Sequence, residues 1–524
     1  MDWQVIPARS FAAACHGVAG TLFLDYAWRV AECVRRARPE GGTSQKNGSS
    51  QRRIRMTALF CPARGGISGV RLLVTIALTV LLAACGGNKV PHFDLDADHL
   101  SDVRDARVFP QNLSVFAAQA GADRPLIGPA SQAERNQRFD RLFFSPWGSK
   151  RASIKAADAF AGMDQYSRLR IRSKNPKGYA ENLRLWDSVR WDTLVTNTRR
   201  DHFPSRLDKG VTVRQVSVRE LPTERPWYGH PFHPGQGFPF DSFQMSLLPP
   251  GMPVLITHTS RDGAWIYVET ALFGGWLPVD SVALVDEQAM ALYRTGSYAA
   301  ILRDDVPLCD TIGTFLTMAR VGTVLPIVGQ SGSSLDVLVP SRDPITGRAV
   351  FSTVRLAANV AARKPLPLTA GRLAAIGNQF MGQPYGWGGM FGNRDCSSML
   401  RDLFVPFGIW LPRNSAAQSR SWQTVSLEGL SPAAKIDKIL TQGKPFATLL
   451  WLPGHITLYV GQQHGDPAIF HSVWGVRTQG NGKISGRFIL GRTMITSTQP
   501  GQELDRVKDG TLLIDRMARM TILR

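Results

Sequence analysis

The chain has 524 residues, 61 lysines and arginines against 41 aspartates and glutamates, a formal charge of +20 and 44% hydrophobic residues. That length calls for several domains rather than one, and the apolar content is ordinary for globular protein with large cores. The positive balance suits an anionic surface such as cell wall or lipid headgroups, with plain solubility as the alternative.

Residues 70–85 read VRLLVTIALTVLLAAC. Arg64 and Arg71 precede an apolar run from Leu72 to Leu82, and small residues lead to Cys85, the three-part layout of a secretory signal. The run is too short for a comfortable membrane span. LLAAC resembles the bacterial lipobox, whose cysteine is lipidated and becomes the first residue of the mature protein; an ordinary signal peptide cut nearby is the alternative. No aspartate follows Cys85, which resembles sorting to the outer membrane of Gram-negative bacteria, on the periplasmic face of the cell envelope. Signals begin near an N-terminus, so residues 1–55 are expected to reflect a misassigned start, with 56–84 as the signal and 85–105 as a polar tether. Residues 1–84 hold 11 basic and 4 acidic side chains, so the remainder carries about +13. With Cys85 lipidated, only Cys309 and Cys396 remain as thiols, and a disulfide framework is not expected despite export.

The remaining chain divides by texture. Residues 106–205 are helical and aromatic in pattern, with RFDRLFFSPW and YAENLRLWDSVRW. From 210 to 286 short alternating runs with turn signals, PVLITHTS, RDGAWIYVET and GGWLPVDSVALV, predict the strands of a small barrel. A second strand-rich run covers 297–362, and the two could be related barrels. From 369 to 495 a helix, a second helix at Cys396 and then strands follow, and 496–524 reads as a C-terminal extension.

Cys396 sits in GMFGNRDCSSMLRDLF. Asp395 reads as an N-cap, and Met399, Leu400, Leu403, Phe404 and Phe407 follow at helical spacing. A thiol on the first turn of a helix faces free N–H groups and the positive end of the dipole, and both favour the nucleophilic thiolate. A half-buried structural cysteine at a helix start is the competing reading. Downstream, GHITLYVG predicts a strand opened by His455, and AIFHSVWG a strand containing His471. A helix-borne cysteine, a strand-borne histidine as base and a second strand-borne polar group to orient it form a thiol-hydrolase constellation.

The stretches PYGWGGMFGNRDCSSML, LPRNSAAQS, PGHITLYVG and FHSVWG resemble the motif series of the NlpC-type bacterial cell-wall cysteine peptidases. FFSPW and RPWYGHPFHPGQGFPFD resemble the N-terminal stabilising domain and first SH3-like barrel of their multidomain branch. The resemblance implies an α+β multidomain chain: a helical N-terminal domain, two small SH3-like β-barrels and a C-terminal papain-like α+β catalytic domain. It implies Cys396 as nucleophile, His455 as base, His471 as the orienting residue and Tyr385 near the oxyanion. Asp395 and Ser397 match residues of the substrate cleft, and the long barrel loop would bring Tyr228 to line the cleft and Asp241 to hold the substrate's amine. Asn414 stands where relatives preferring a free amine carry aspartate. The implied reaction is hydrolysis of a peptidoglycan stem peptide, at the bond between γ-D-glutamate and a diamino acid, with no cofactor and no metal. Acyl transfer or another amidase reaction on the same fold, and a wall-binding lipoprotein without catalysis, are the alternatives. His230, His233, His258 and His464 show no metal-ligand spacing and read as loop or surface histidines. No phosphate loop, dinucleotide fingerprint or nucleic-acid-binding pattern is present, so nucleic acid is not an expected partner.

Overall fold

The structure, a computed structural model, describes residues 102–172, 178–231, 233–479, 486–507 and 510–524. The expected misassigned start, signal segment, Cys85 and nearly all of the tether lie outside the described residues.

The first barrel is a seven-stranded antiparallel sheet. Its strands are β1 (Asp208–Thr212), β2 (Val216–Arg219), β3 (Gln244–Leu248), β4 (Pro253–Thr259), β5 (Trp265–Glu269), β6 (Gly274–Pro278) and β7 (Val282–Leu284). They run in the order β3-β2-β6-β5-β4-β1-β7. The second barrel holds β8 (Tyr298–Ile301), β9 (Val306–Cys309), β10 (Phe315–Ala319), β11 (Val324–Ser331), β12 (Ser334–Arg342), β13 (Ala349–Leu356) and β14 (Ala361–Arg363). A five-stranded sheet, β13-β12-β11-β8-β14, is joined there by the β9–β10 hairpin. Alternating side chains from both sheets fill the interiors, as the period-2 pattern requires.

The third sheet contains β15 (Gln423–Ser426), β16 (Thr448–Leu452), β17 (His455–Gln463), β18 (Asp466–Thr478), β19 (Gly486–Thr496) and β20 (Arg519–Ile522). Its order is β15-β20-β16-β17-β18-β19. Ile456, Leu458 and Val460 turn one face of β17 toward helices Ala370–Gly377 and Cys396–Phe404, where Leu373, Met399, Leu400 and Leu403 meet them. Tyr459 and Ile469 face the opposite way, against Ile439, Leu513 and Ile514.

The helical segment is confirmed as helical, but it does not own a core. Phe109, Leu113 and Phe116 pack into the core against the third sheet, while Phe139, Phe143 and Trp147 join that of the first barrel. Trp186 and Trp191 pack with Trp227, Phe243 and Trp276 of that barrel. His258, expected on a loop or the surface, is instead buried on β4, bonded to Ser205 Oγ at 2.8 Å and the Thr198 carbonyl at 3.0 Å. Its aliphatic strand neighbours placed it inside.

Two boundaries also differ from expectation. The end of the tether is docked: Val103 is buried, and Asp105 accepts hydrogen bonds from the Ser497 N–H (2.8 Å) and hydroxyl (2.7 Å). The expected C-terminal extension is structural, because β20 lies between β15 and β16 and pairs with both. Met520, Ile522 and Leu523 are fully buried there.

Each such side chain contributes about 1.5–3 kcal/mol on burial, a large share of the roughly 5–15 kcal/mol that holds a domain folded. A chain truncated after Ala518 is therefore expected to yield an insoluble or protease-labile catalytic domain. A soluble, protease-resistant truncation product would contradict the placement of β20.

Candidate active site

Helix Cys396–Phe404 begins with a reciprocal cap. Asp395 Oδ1 accepts the Ser398 N–H at 2.8 Å, and the Ser398 hydroxyl accepts the Asp395 N–H at 2.9 Å. Cys396 therefore occupies the first helical position, 7% exposed and packed against Ile456, the residue after His455. The N–H groups of Ile456 and Ser397 point at its sulfur and favour the thiolate.

His455 opens β17, and its Nε2 lies 2.9 Å from His471 Nδ1. His471 Nε2 lies 3.1 Å from Thr496 Oγ1, whose hydroxyl donates to the Ser497 carbonyl at 2.7 Å. That last bond settles the proton order, because a hydroxyl has one proton and a carbonyl can only accept. Thr496 must accept from His471 Nε2–H. His471 Nδ1 is then bare and accepts from His455 Nε2–H, which leaves His455 Nδ1 without a proton. Ser497 is held in turn by Asp105. Thr496 was missed by sequence reasoning; it lies far from the motifs in the chain and was assigned to the extension.

Electrostatics revise the expected resting thiolate. Burial, then the charge of Asp395, pushes the Cys396 thiol up to about 12 despite the helix N-terminus. Burial, then the charge of Arg516, lowers His455 to about 4. Burial and the neighbouring His455 hold His471 well below the usual range. Burial thus disfavours the charged form of both side chains. Tyr385 is enclosed beside Cys396 and Asp395, and burial followed by those charges raises its phenol well above the usual value. It remains an O–H donor.

The expected substrate contacts are placed differently. Asp395 Oδ2 accepts from Arg413 Nη2 at 2.6 Å and the Gly388 N–H at 3.1 Å, while Oδ1 also accepts from the Ser397 hydroxyl at 3.1 Å. Ser397 in turn accepts from Arg413 Nη1 at 2.9 Å. Both are buried and occupied in holding the helix start. Asp241 is 2% exposed; its Oδ2 pairs with Arg219 at 2.8 Å and its Oδ1 accepts the N–H groups of Trp227 and Phe243 at 2.9 Å. Both of its oxygens are engaged inside the barrel. Tyr228 is buried beside Asp241 and Arg219, its backbone paired with Tyr179. Asn414 is exposed and caps the turn Ser415–Gln418 by accepting the Ala417 N–H at 2.8 Å. Residue type alone does not say whether a polar group faces inward.

The barrel loop does reach the site, through its aromatic and main-chain groups. Trp387 Nε1 donates to the Asp241 carbonyl at 3.1 Å, and Gln244 Nε2 to the Gly388 carbonyl at 2.9 Å. Phe240 meets Trp387 and Trp474, Phe238 meets Phe391 and Trp474, and Trp474 meets Tyr385. An aromatic wall contributed by three separate segments thus adjoins Tyr385, which stands near Cys396.

Four matches to known domains follow the same order along the chain: the NLPC_P60 N-terminal stabilising domain at 74–203, SH3 domains of the SH3b1 type at 226–278 and SH3b2 type at 286–331, and the NlpC/P60 family at 382–479. The chain is a multidomain NlpC/P60 protein. Cysteine peptidases make up that family. A solved structure described as a novel NlpC/P60 endopeptidase from Photobacterium damselae subsp. piscicida is 25% identical, with a TM-score of 0.69 over 79% of this chain and 96% of that one. A Bacillus cereus protein named gamma-D-glutamyl-L-lysine dipeptidyl-peptidase is 31% identical over 151 residues, 29% of this chain. The match spans 41% of that relative's length.

The raised thiol predicts how this NlpC/P60 site reacts with iodoacetamide. Thiolate increases with pH until the thiol pKa is passed, so the alkylation rate of Cys396 should climb about tenfold per pH unit from 7 to 10. A rate already level below pH 8 would instead show a preformed thiolate–imidazolium pair.

Proposed function

We propose that this NlpC/P60 protein hydrolyses an amide bond in the stem peptide of peptidoglycan, between γ-D-glutamate and a diamino acid. The observation that carries the reading is Cys396 at a helix start against β17, with His455 Nδ1 left bare by the His471–Thr496 chain. The name of the Bacillus relative supports the choice of bond. Attachment to the membrane through a lipid on Cys85, and an outer-membrane address, belong to the same proposal and rest on the LLAAC stretch.

The chemistry follows from the neutral pair. The Cys396 sulfur attacks the amide carbonyl as its proton passes to His455 Nδ1, forming the S–C bond and an oxyanion. The Cys396 N–H and the Tyr385 hydroxyl are the donors available to that oxyanion. Collapse breaks the C–N bond, and the imidazolium protonates the leaving amine. Water then attacks the thioester, gives its proton to His455, and the C–S bond breaks to restore the thiol. His471 and Thr496 hold the tautomer throughout.

Purified peptidoglycan digested with the protein should release fragments that mass spectrometry assigns to cleavage on the amino side of the diamino acid, at the γ-carbonyl of D-glutamate. The Cys396→Ala variant, which removes little volume, should fold normally and lose at least about a thousandfold in rate. Activity retained by that variant, or products cut only in the glycan, would refute the proposal.

A further inference from the structure

Most buried arginines of this protein face carboxylates: Arg219 pairs with Asp241, Arg394 with Asp304 and Asp402, Arg413 with Asp395. Three half-buried arginines at one end of the cleft do not. Arg477 on β18 and Arg487 on β19 are direct cross-strand partners, a like-charge placement that weakens a sheet. Arg516 ends the turn Leu513–Arg516 and donates to the Pro453 carbonyl, two residues before His455, at 2.8 Å. Its charge acts on Arg487 and on His455, and that of Arg477 acts on Arg516. On the barrel side, Arg487 Nη2 lies 3.8 Å from where a Cβ would stand on Gly235, in the loop that carries Phe238 and Phe240.

Among the described residues none of these three arginines makes an ion pair. Partial burial raises the cost of leaving such charges unmatched. Arg487 shows it most, lowered to about 10 by burial and then by Arg477 and Arg516. Repulsion of this kind is relieved by an anion, and a planar guanidinium is suited to a carboxylate.

We propose that Arg477, Arg487 and Arg516 form a subsite for a carboxylate of the substrate peptide, at the His455 end of the aromatic wall. The inference rests on the reading of the site as a stem-peptide hydrolase and deepens it, because it selects peptides by their free acid groups. It also replaces the expected acidic contact: Asp241 and Asp395 are both neutralised by arginine, so the charge left open in the cleft is positive. A bound carboxylate offsets the Arg516 charge that opposes an imidazolium at His455, where the other facing groups are His471 and Asp395.

Calorimetric binding to the full chain carrying Cys396→Ala tests this with L-alanyl-γ-D-glutamyl-diaminopimelate and the same tripeptide with its carboxylates converted to amides. The acid form should bind at least tenfold tighter, and adding Arg487→Gln or Arg477→Gln should erase the difference while leaving the amide form unchanged. Neither substitution should lower the melting temperature, since each removes repulsion. Inorganic phosphate at constant ionic strength provides a second probe; it should raise the melting temperature of the unsubstituted protein and not that of the Arg487→Gln variant. An arginine-dependent phosphate shift without tripeptide binding would keep the anion site and reject the stem-peptide reading. Arginine variants that bind both tripeptides and phosphate as the parent does would overturn the inference.

Discussion

The placement of Cys396 depends on one buried ion pair, Asp395 with Arg413. Burying a carboxylate and a guanidinium is expensive unless nearly every lone pair and proton is matched. Asp395 meets that condition with bonds from Ser398, Ser397, Gly388 and both terminal nitrogens of Arg413. The same carboxylate therefore caps helix Cys396–Phe404, fixes the loop before it and pins the chain at Arg413. Arg413 continues to Ser246 on β3 at 2.6 Å, so the pair also joins the catalytic sheet to the first barrel. The second barrel grips the neighbouring residue, with Asp304 accepting two bonds from Arg394 at 2.6 and 2.7 Å. Both barrels thus act on the residues immediately before Cys396.

That junction explains the glycines of the PYGWGG stretch. Gly388 and Gly389 have φ of +61° and +90°, and a Cβ on them would stand 2.4 Å from the Gln244 carbonyl and 2.5 Å from Leu247 Cβ. Only glycine fits both the backbone angle and the approach to β3. His455 is held with equal firmness. A chain of hydrogen bonds runs from Asp105 through Ser497, Thr496 and His471 to His455, so the first described segment of the protein fixes a tautomer in its catalytic sheet. Cys396 and His455 are thus both held by hydrogen-bonded neighbours, and burial disfavours the charged form of each.

Local features were legible in the sequence. The Asp395 cap, the helical run after Cys396, the alternation in GHITLYVG and the two strand-rich segments all follow from periods and propensities that act over a few residues. Long-range features were not. The run RMTIL looked like a tail because nothing within it says that it will pair with β15 and β16, both much earlier in the chain. Asp395, Ser397 and Asp241 have the chemistry of substrate contacts, and burial beside Arg413 and Arg219 gave them structural work instead. The aromatic wall needs Phe238, Trp387 and Trp474 from three segments, and the basic end of the cleft adds Arg487 and Arg516 from two more to Arg477, which shares β18 with Trp474. Only the fold brings them together.

The central claim is that Cys396 forms a thioester with the amino-terminal side of a stem peptide, and acid-quenched intact-protein mass spectrometry during turnover tests it directly. The account predicts a transient adduct on Cys396, with a mass equal to the fragment ending in γ-D-glutamate less one water. It should be absent from the Cys396→Ala variant. Turnover of the stem peptide with no adduct at any time point, or with an adduct mapped to another residue, would contradict it.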